Sequence, residues 1–250
     1  MTVPSNAALV TGDRVLVIGA TRGTGRLVAE HLLSAGHRVR VLTRSPGQAE
    51  AMFGDRVEVA AGDVTRAETL AAAFAGVDHV VLTVGVTKRP AGERLVRTTE
   101  YDGTLNVLAA ARRAGLPGRF VYMSAIGTTR WSLLAFLLNL IKGNTLHWRR
   151  RAEERIRASG LAYTIVHAGI LTDAPAGSRS VEIRQDELPM SLRFRIGRAD
   201  AAEVLVQALS RADARNTTFD AVWGRGVGPT RWEPAFAGLT VDSARPEDGA

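Results

Sequence analysis

Apolar residues in this chain fall in short, β-branched runs separated by longer stretches in which they recur every three or four positions. The runs at 15–18, 39–42, 57–59, 79–84, 120–122 and 163–166 read as strands. They are continuous rather than alternating, which is the pattern of strands buried on both faces of a parallel sheet. Between the first two runs, residues 26–35 carry Leu27, Val28 and Leu32 at helical spacing, and helix-length stretches separate the other runs as well. Parallel strands joined by right-handed helical crossovers make an α/β fold with a doubly wound parallel sheet the predicted architecture.

Composition is consistent with one such domain. At 250 residues and 46% hydrophobic content, a chain of this size buries about 70% of its unfolded surface. No repeat, linker or composition step marks a second domain. The absence of cysteine excludes disulfides, thiolate metal sites and thiol nucleophiles. No cluster has metal-ligand spacing, so no metal is assigned. The N-terminus lacks the basic and apolar regions of a secretory signal, and no apolar run reaches the length of a membrane span. The expectation is a cytoplasmic protein without stable membrane insertion. The most apolar stretch, 131–141, suits a buried helix or a lid, with contact to a membrane surface as a minor alternative.

The formal charge of +7 is carried by arginine, with only Lys88 and Lys142 as lysines. Most of the excess is dispersed. The cluster Arg149, Arg150, Arg151, Arg155 and Arg157 is interleaved with Glu153 and Glu154, and pairs such as Glu153 and Arg157 at i, i+4 suit a solvated helix face. A short cluster of this kind, without a recognition motif, predicts no nucleic-acid partner.

Candidate chemistry begins after the first strand, where Gly19, Thr21, Arg22, Gly23, Thr24 and Gly25 form a glycine-rich turn into the first helix. Such a turn lets backbone amides and a helix N-terminus approach a pyrophosphate. The spacing, G-x-x-x-G-x-G, departs from the usual dinucleotide fingerprint, and its position between strand and helix gives it weight. The second strand ends in Thr43-Arg44-Ser45 instead of an acid. Arg44 and Arg22 suit a 2′-phosphate, so NADP(H) is the expected cofactor. Asp63 and Val64 follow the third strand, and Val84 and Gly85 follow the fourth. Asp63 is a candidate for the adenine amino group or for a local cap, and the small residues leave room for a ribose.

The segments VLVIGATRGTGRLVAEHLLSAGHRVRVLTRSP, AAGDV, TEYDGTLNVLAAARRAG, RFVYMSAIG, AEERIRASGLAYTIVHAGIL and IGRADAAEVLVQAL, in that order, resemble the atypical short-chain dehydrogenases/reductases. These are NAD(P)H-binding oxidoreductases related to NmrA-like and flavin-reductase-like proteins. The resemblance spans residues 13 to about 222. It implies a Rossmann fold in a single domain, with a nucleotide-binding half at 13–125 and a substrate-binding part at 126–222, leaving 224–250 as a tail expected to fray from 242. It also implies reactions from carbonyl, quinone or flavin reduction to epimerisation and dehydration, and some relatives that are non-catalytic sensors or assembly factors.

The resemblance places Ser124 at the family's active-site serine. The family's Tyr-x-x-x-Lys pair is absent, because Thr145 and Arg149 stand at the tyrosine and lysine positions, within Trp148-Arg149-Arg150-Arg151-Ala152-Glu153 against the branch's W-K-x-x-x-E. Arg149 is expected to anchor the nicotinamide ribose, or else to lie on a solvated helix face. His167 stands where the branch commonly carries Arg-Pro-Gly; it is a candidate acid, or a histidine bonded into the wall. His147 is a second candidate. The 131–141 segment, Trp148 and residues 174–194 are read as walls of a hydrophobic substrate pocket, with a homodimer contact as the competing use of 131–141. The expected function is NADP(H)-dependent reduction of a hydrophobic small carbonyl, quinone or enone. The alternatives are a redox-neutral isomerase, epimerase or dehydratase, and a non-catalytic NADP(H)-binding sensor or scaffold.

Overall fold

A computed structural model describes residues 8–243. Its element order begins β1 (Arg14–Ile18), α1 (Gly23–Ser34), β2 (Arg38–Thr43), α2 (Pro46–Phe53), β3 (Val57–Ala61), α3 (Ala71–Phe74) and β4 (His79–Leu82). It continues through α4 (Glu93–Val96), a π-helical turn (Arg97–Asp102), α5 (Gly103–Arg113), β5 (Arg119–Ala125), α6 (Leu133–Ile141), α7 (Thr145–Arg157) and β6 (Ala162–Ala168). The last part holds β7 (Ile170–Thr172), β8 (Arg179–Arg184), β9 (Arg195–Gly197), α8 (Arg198–Ser210), β10 (Thr217–Val227) and α9 (Trp232–Phe236). The main sheet has the order β3-β2-β1-β4-β5-β6-β10-β8, parallel throughout except for β8 at the edge. β7 and β9 form a separate two-stranded parallel sheet.

The run Val15-Leu16-Val17-Ile18 shows why the strands are continuously apolar. Successive side chains point to opposite faces, so Val15 and Val17 join the layer of α1 and α8 while Leu16 and Ile18 join that of α5 and α7. Strand order reverses between β1 and β4, which opens a crevice at the carboxyl edge, the usual ligand site of such sheets.

All six expected strands are present. The expected tail is different. Residues 224–227 complete β10, and Phe236 is buried against Phe219 with ring centroids 5.5 Å apart. Asp242, expected to fray, accepts hydrogen bonds from the Tyr163 hydroxyl at 2.9 Å, the Thr218 amide at 2.9 Å and the Arg157 guanidinium at 3.2 Å. A carboxylate with three donors from β6, β10 and α7 fixes the chain there. Residues 244–250, the rest of that expected segment, lie outside the described residues, as do 1–7 at the other end. Among the described residues, no helix is long and apolar enough to cross a membrane.

The 131–141 segment forms α6, but it is buried on one side only. Ala135 faces inward, while Leu133, Phe136 and Leu140 are exposed. The expectation of a buried helix therefore fails for its outer face.

Phe219 is fully buried between β6 and α9. Phe219→Ala should lower the unfolding free energy by about 3–5 kcal/mol, read from urea denaturation. A loss below about 1 kcal/mol would mean that the C-terminal layer does not belong to the cooperative core.

Candidate active site at the carboxyl edge of the sheet

The glycine-rich turn forms a cradle. Gly19 has φ +99° and Gly23 φ +54°, a left-handed region that favours glycine. A Cβ on Gly19 would lie 2.7 Å from the Thr83 hydroxyl, and one on Gly25 would run into the Gly19 carbonyl. The close packing brings the first turn of α1 up to the end of β1. No side chain caps that turn, so its amides remain open donors at the positive end of the helix. The Thr24 hydroxyl is buried there without a hydrogen-bond partner. Thr21 is half-buried and Arg22 exposed. An uncapped helix end with an orphaned hydroxyl and room only for glycine fits a dinucleotide pyrophosphate.

Arg44 projects from the end of β2 with its side chain 73% exposed, 3.9 Å from the Asp63 carboxylate. One Asp63 oxygen accepts from the Thr65 amide and hydroxyl, both at 2.9 Å, which closes a local turn and not the helix cap expected there, since the next helical turn begins only at Ala67. The other oxygen faces Arg44. Val64 is buried against Gly103, and Val84 and Gly85 line the end of β4 beside Arg149.

The opposite wall is built by α7. Thr145, Arg149 and Glu153, spaced i, i+4, i+8, form one buried stripe of this helix. Arg149 is therefore not on a solvated face. Its Nε lies 3.0 Å from Glu100 in the π-helical turn, Nη1 donates to the Met123 carbonyl at 2.9 Å and Nη2 to that of Val84 at 3.4 Å. Glu100 also accepts from the Thr145 hydroxyl at 2.6 Å and the Val86 amide at 2.8 Å. Burial opposes the charge of Arg149, and Glu100, with Glu153 beyond it, more than restores it, raising its pKa. Arg150, Arg151 and Glu154 do form the solvated face expected of the cluster, paired at 3.5 and 3.7 Å.

Lower on the stripe, Glu153 is fully buried and accepts from the Ser124 hydroxyl at 2.5 Å. The same oxygen lies 3.1 Å from His167 Nε2, while His167 Nδ1 lies 3.2 Å from Asp220. Asp220 accepts in turn from the Leu188 amide at 2.8 Å. The result is a buried chain, Ser124–Glu153–His167–Asp220. Desolvation pushes the imidazole toward neutrality, but the two carboxylates outweigh it and carry its pKa up to about 10. Desolvation likewise raises the Glu153 carboxyl, and His167, Ser124 and Arg157 outweigh that, holding it below the ordinary range. The raised pKa favours the imidazolium, in which both ring nitrogens donate to the flanking carboxylates. His147, the other candidate, is exposed and stacks edge-on against Trp148.

Sequence reasoning missed Glu100 and Asp220, and it assigned Glu153 only to a surface pair with Arg157. That pair exists at 3.4 Å, but it runs from a buried carboxylate. The one available signal was the glutamate of the W-K-x-x-x-E pattern. A polar cavity of about 280 Å³ reaches Glu153, Arg157, His167 and Asp220 from the side of β10 and Asp242. No glycine-loop residue lines it. Trp148, expected in the pocket wall, packs on Tyr101 at 5.5 Å and donates to Glu93 at 3.1 Å.

Because the folded pKa of His167 is raised from 6.5 to about 10, its contribution to stability is complete below pH 6.5 and is lost as pH rises through 10. Urea melts of the wild type should lose stability across that window, and His167→Asn should show a much flatter slope. Equal slopes would contradict the clamped imidazolium.

Comparison with known proteins bears on the family and the fold. The model of a family described as NAD(P)H-binding matches residues 19–212. The chain is 31% identical over 236 residues to an uncharacterized chloroplastic protein of Arabidopsis thaliana, covering 86% of this chain and 71% of that protein. It is 28% identical over 240 residues to sanguinarine reductase of Eschscholzia californica, covering 82% and 87% of the two chains. Among solved structures, a putative NAD-dependent epimerase/dehydratase of Bacillus halodurans superposes with TM-score 0.73 at 23% identity, covering 86% of this chain and 96% of that one. A short-chain dehydrogenase/reductase of Veillonella parvula in complex with NADP superposes with TM-score 0.67 at 15% identity, over 86% and 96%. The family model, matched over most of the chain, places this protein in the NAD(P)H-binding family, and the superpositions give it a Rossmann-like fold.

Proposed function

We propose that this chain is an NADP(H)-dependent reductase acting on a hydrophobic small carbonyl, quinone or enone. The observation that carries the reading is Ser124, whose hydroxyl stands at the carboxyl end of β5 bonded to the ionised, buried Glu153. In this reading the amides of Gly23, Thr24 and Gly25 hold the pyrophosphate, with Gly19 and Thr21 shaping the turn. Arg22 and Arg44 take the 2′-phosphate, while Asp63, Val64, Val84 and Gly85 bound the adenine and ribose. Arg149, already spent on Glu100 and two carbonyls, offers its remaining N–H groups to the nicotinamide ribose.

The bound nicotinamide supplies hydride. Ser124 would turn its hydroxyl from Glu153 to the acceptor oxygen and donate a hydrogen bond to the negative charge that hydride transfer develops there, and the proton that completes the reduction would come from water. Glu153, His167 and Asp220 position it. Thr145, at the place of the family tyrosine, has no acidity to offer at neutral pH, and its hydroxyl is committed to Glu100. Acceptors whose reduced oxygen needs little acid, such as quinones and enones, suit this wall best. The same lack of a tyrosine favours the second reading, an NADP(H)-binding sensor.

NADPH should bind tightly and be oxidised by at least one class in a panel of quinones, enones, flavins, ketones and aldehydes. Ser124→Ala should then lower turnover by about 10²-fold with NADPH affinity unchanged. Firm binding with no oxidation across the panel would favour the sensor.

Arg44→Asp should shift the ratio of NADPH to NADH affinity toward NADH by at least about tenfold, the loss of one charge-assisted phosphate contact. An unchanged ratio in calorimetric titrations would remove Arg44 from the cofactor site.

A further inference from the structure

Helix α6 carries apolar side chains on two faces. Ala135, with Leu134 and Leu138, packs inward on Leu146 and Met190. Leu133, Phe136, Leu137, Leu140 and Ile141 recur at i, i+3, i+4, i+7, i+8 and form a single outward stripe. These five side chains are 44–66% exposed, and Trp131, just before the helix, is 77% exposed. A continuous apolar stripe of this size on a polar molecule marks an interaction surface.

Charge identifies the partner. Arg130 precedes the stripe and Lys142 follows it. The exposed Lys88 and Arg89 belong to the segment tied to the end of α6 by the Ala91 amide, which donates to the Ile141 carbonyl at 3.0 Å. Both lysines of the chain are therefore here, and residues 103–152 contain no Asp or Glu. Glu93, next to the C-terminal end of α6, is occupied by the Trp148 indole. A second copy of the chain is a poor occupant: antiparallel pairing of two α6 helices about a twofold axis would set the Arg130 end of one against the Lys142 end of the other.

We propose that the outer face of α6 docks this protein on a lipid bilayer bearing anionic headgroups. The helix lies in the interface plane, with Phe136 and the leucines entering the acyl boundary and Trp131 at headgroup depth. Arg130, Lys142, Lys88 and Arg89 meet the phosphates of the anionic lipids. The contact is peripheral, since α6 has nine residues. This inference is independent of the reductase reading, because it concerns a surface and not the crevice.

Co-sedimentation of the full chain with phosphatidylcholine vesicles, with and without phosphatidylglycerol, tests it. Binding should be at least about tenfold stronger to the anionic vesicles and should fall steeply at high salt. Trp131 fluorescence should be quenched by brominated acyl chains. Two variants keep the test independent of folding: Leu133→Ser with Leu140→Ser removes apolar contact, and Arg130→Glu with Lys142→Glu reverses the charge. Each should reduce vesicle binding about tenfold or more while NADPH affinity and melting temperature stay at wild-type values. No binding by a monomeric wild type, or equal binding by the folded variants, would overturn the proposal. A solution dimer abolished by the leucine variant, with no vesicle binding, would overturn it in favour of a second copy.

Discussion

The arrangement of the candidate site depends on the cost of burying charge. Glu100 and Glu153 are buried carboxylates, and an unpaired charge in such a place costs several kcal/mol. Each is therefore surrounded by donors, and most of those donors come from the inner stripe of α7 or from strand ends that α7 covers. Satisfying Glu100 fixes Thr145 and Arg149, and satisfying Glu153 fixes Ser124 and His167. One helix orientation meets both demands. That orientation sets the distance between the end of β4, where Gly85 abuts the Arg149 guanidinium, and the end of β5, where Ser124 stands.

Arg149, Thr145 and His167 are coupled through the same charges. Arg149 brings a planar, permanently charged group with five donors, and the structure supplies a carboxylate in the π-helical turn and two strand-end carbonyls to receive it. Thr145, one turn earlier on α7, is a further donor to that carboxylate. The histidine after β6 has equally specific partners, one from α7 and one from β10. The wall is electrically stiff as a consequence. Beside it lies the glycine-rich turn with its close packing and uncapped helix end.

Much of the fold was legible because strands buried on both faces leave an unbroken apolar run, as in Val15–Ile18, and because left-handed turns demand glycine, as at Gly19 and Gly23. β10 escaped notice for the opposite reason. Its sequence, TTFDAVWGRGV, mixes polar and apolar residues: it pairs in parallel with β6 over Thr217–Ala221 and antiparallel with the edge strand β8 from Asp220 to Val227, where it runs out into exposed residues. Asp220 was hidden with it. Glu153 was concealed by its neighbours: amid five arginines, an i, i+4 partner looks like surface electrostatics, and nothing local reveals that this position faces Ser124 across the helix–strand contact. Glu100 lies in a π-helical turn, where the altered period breaks the spacing that would have shown it facing inward. For α6, composition gave the apolar character but not its two-sidedness, which depends on where Met190 and Leu146 pack.

The charge state of His167 tests this account most directly. In a nuclear magnetic resonance titration of the protein labelled with nitrogen-15 at histidine, and assigned with His167→Asn, both ring nitrogens of His167 should keep the shifts of a protonated imidazolium through neutral pH. They should titrate only near pH 10. A neutral ring at pH 7, or a transition near the ordinary value of 6.5, would contradict the buried ion chain on which the geometry of Ser124 and α7 is held to depend.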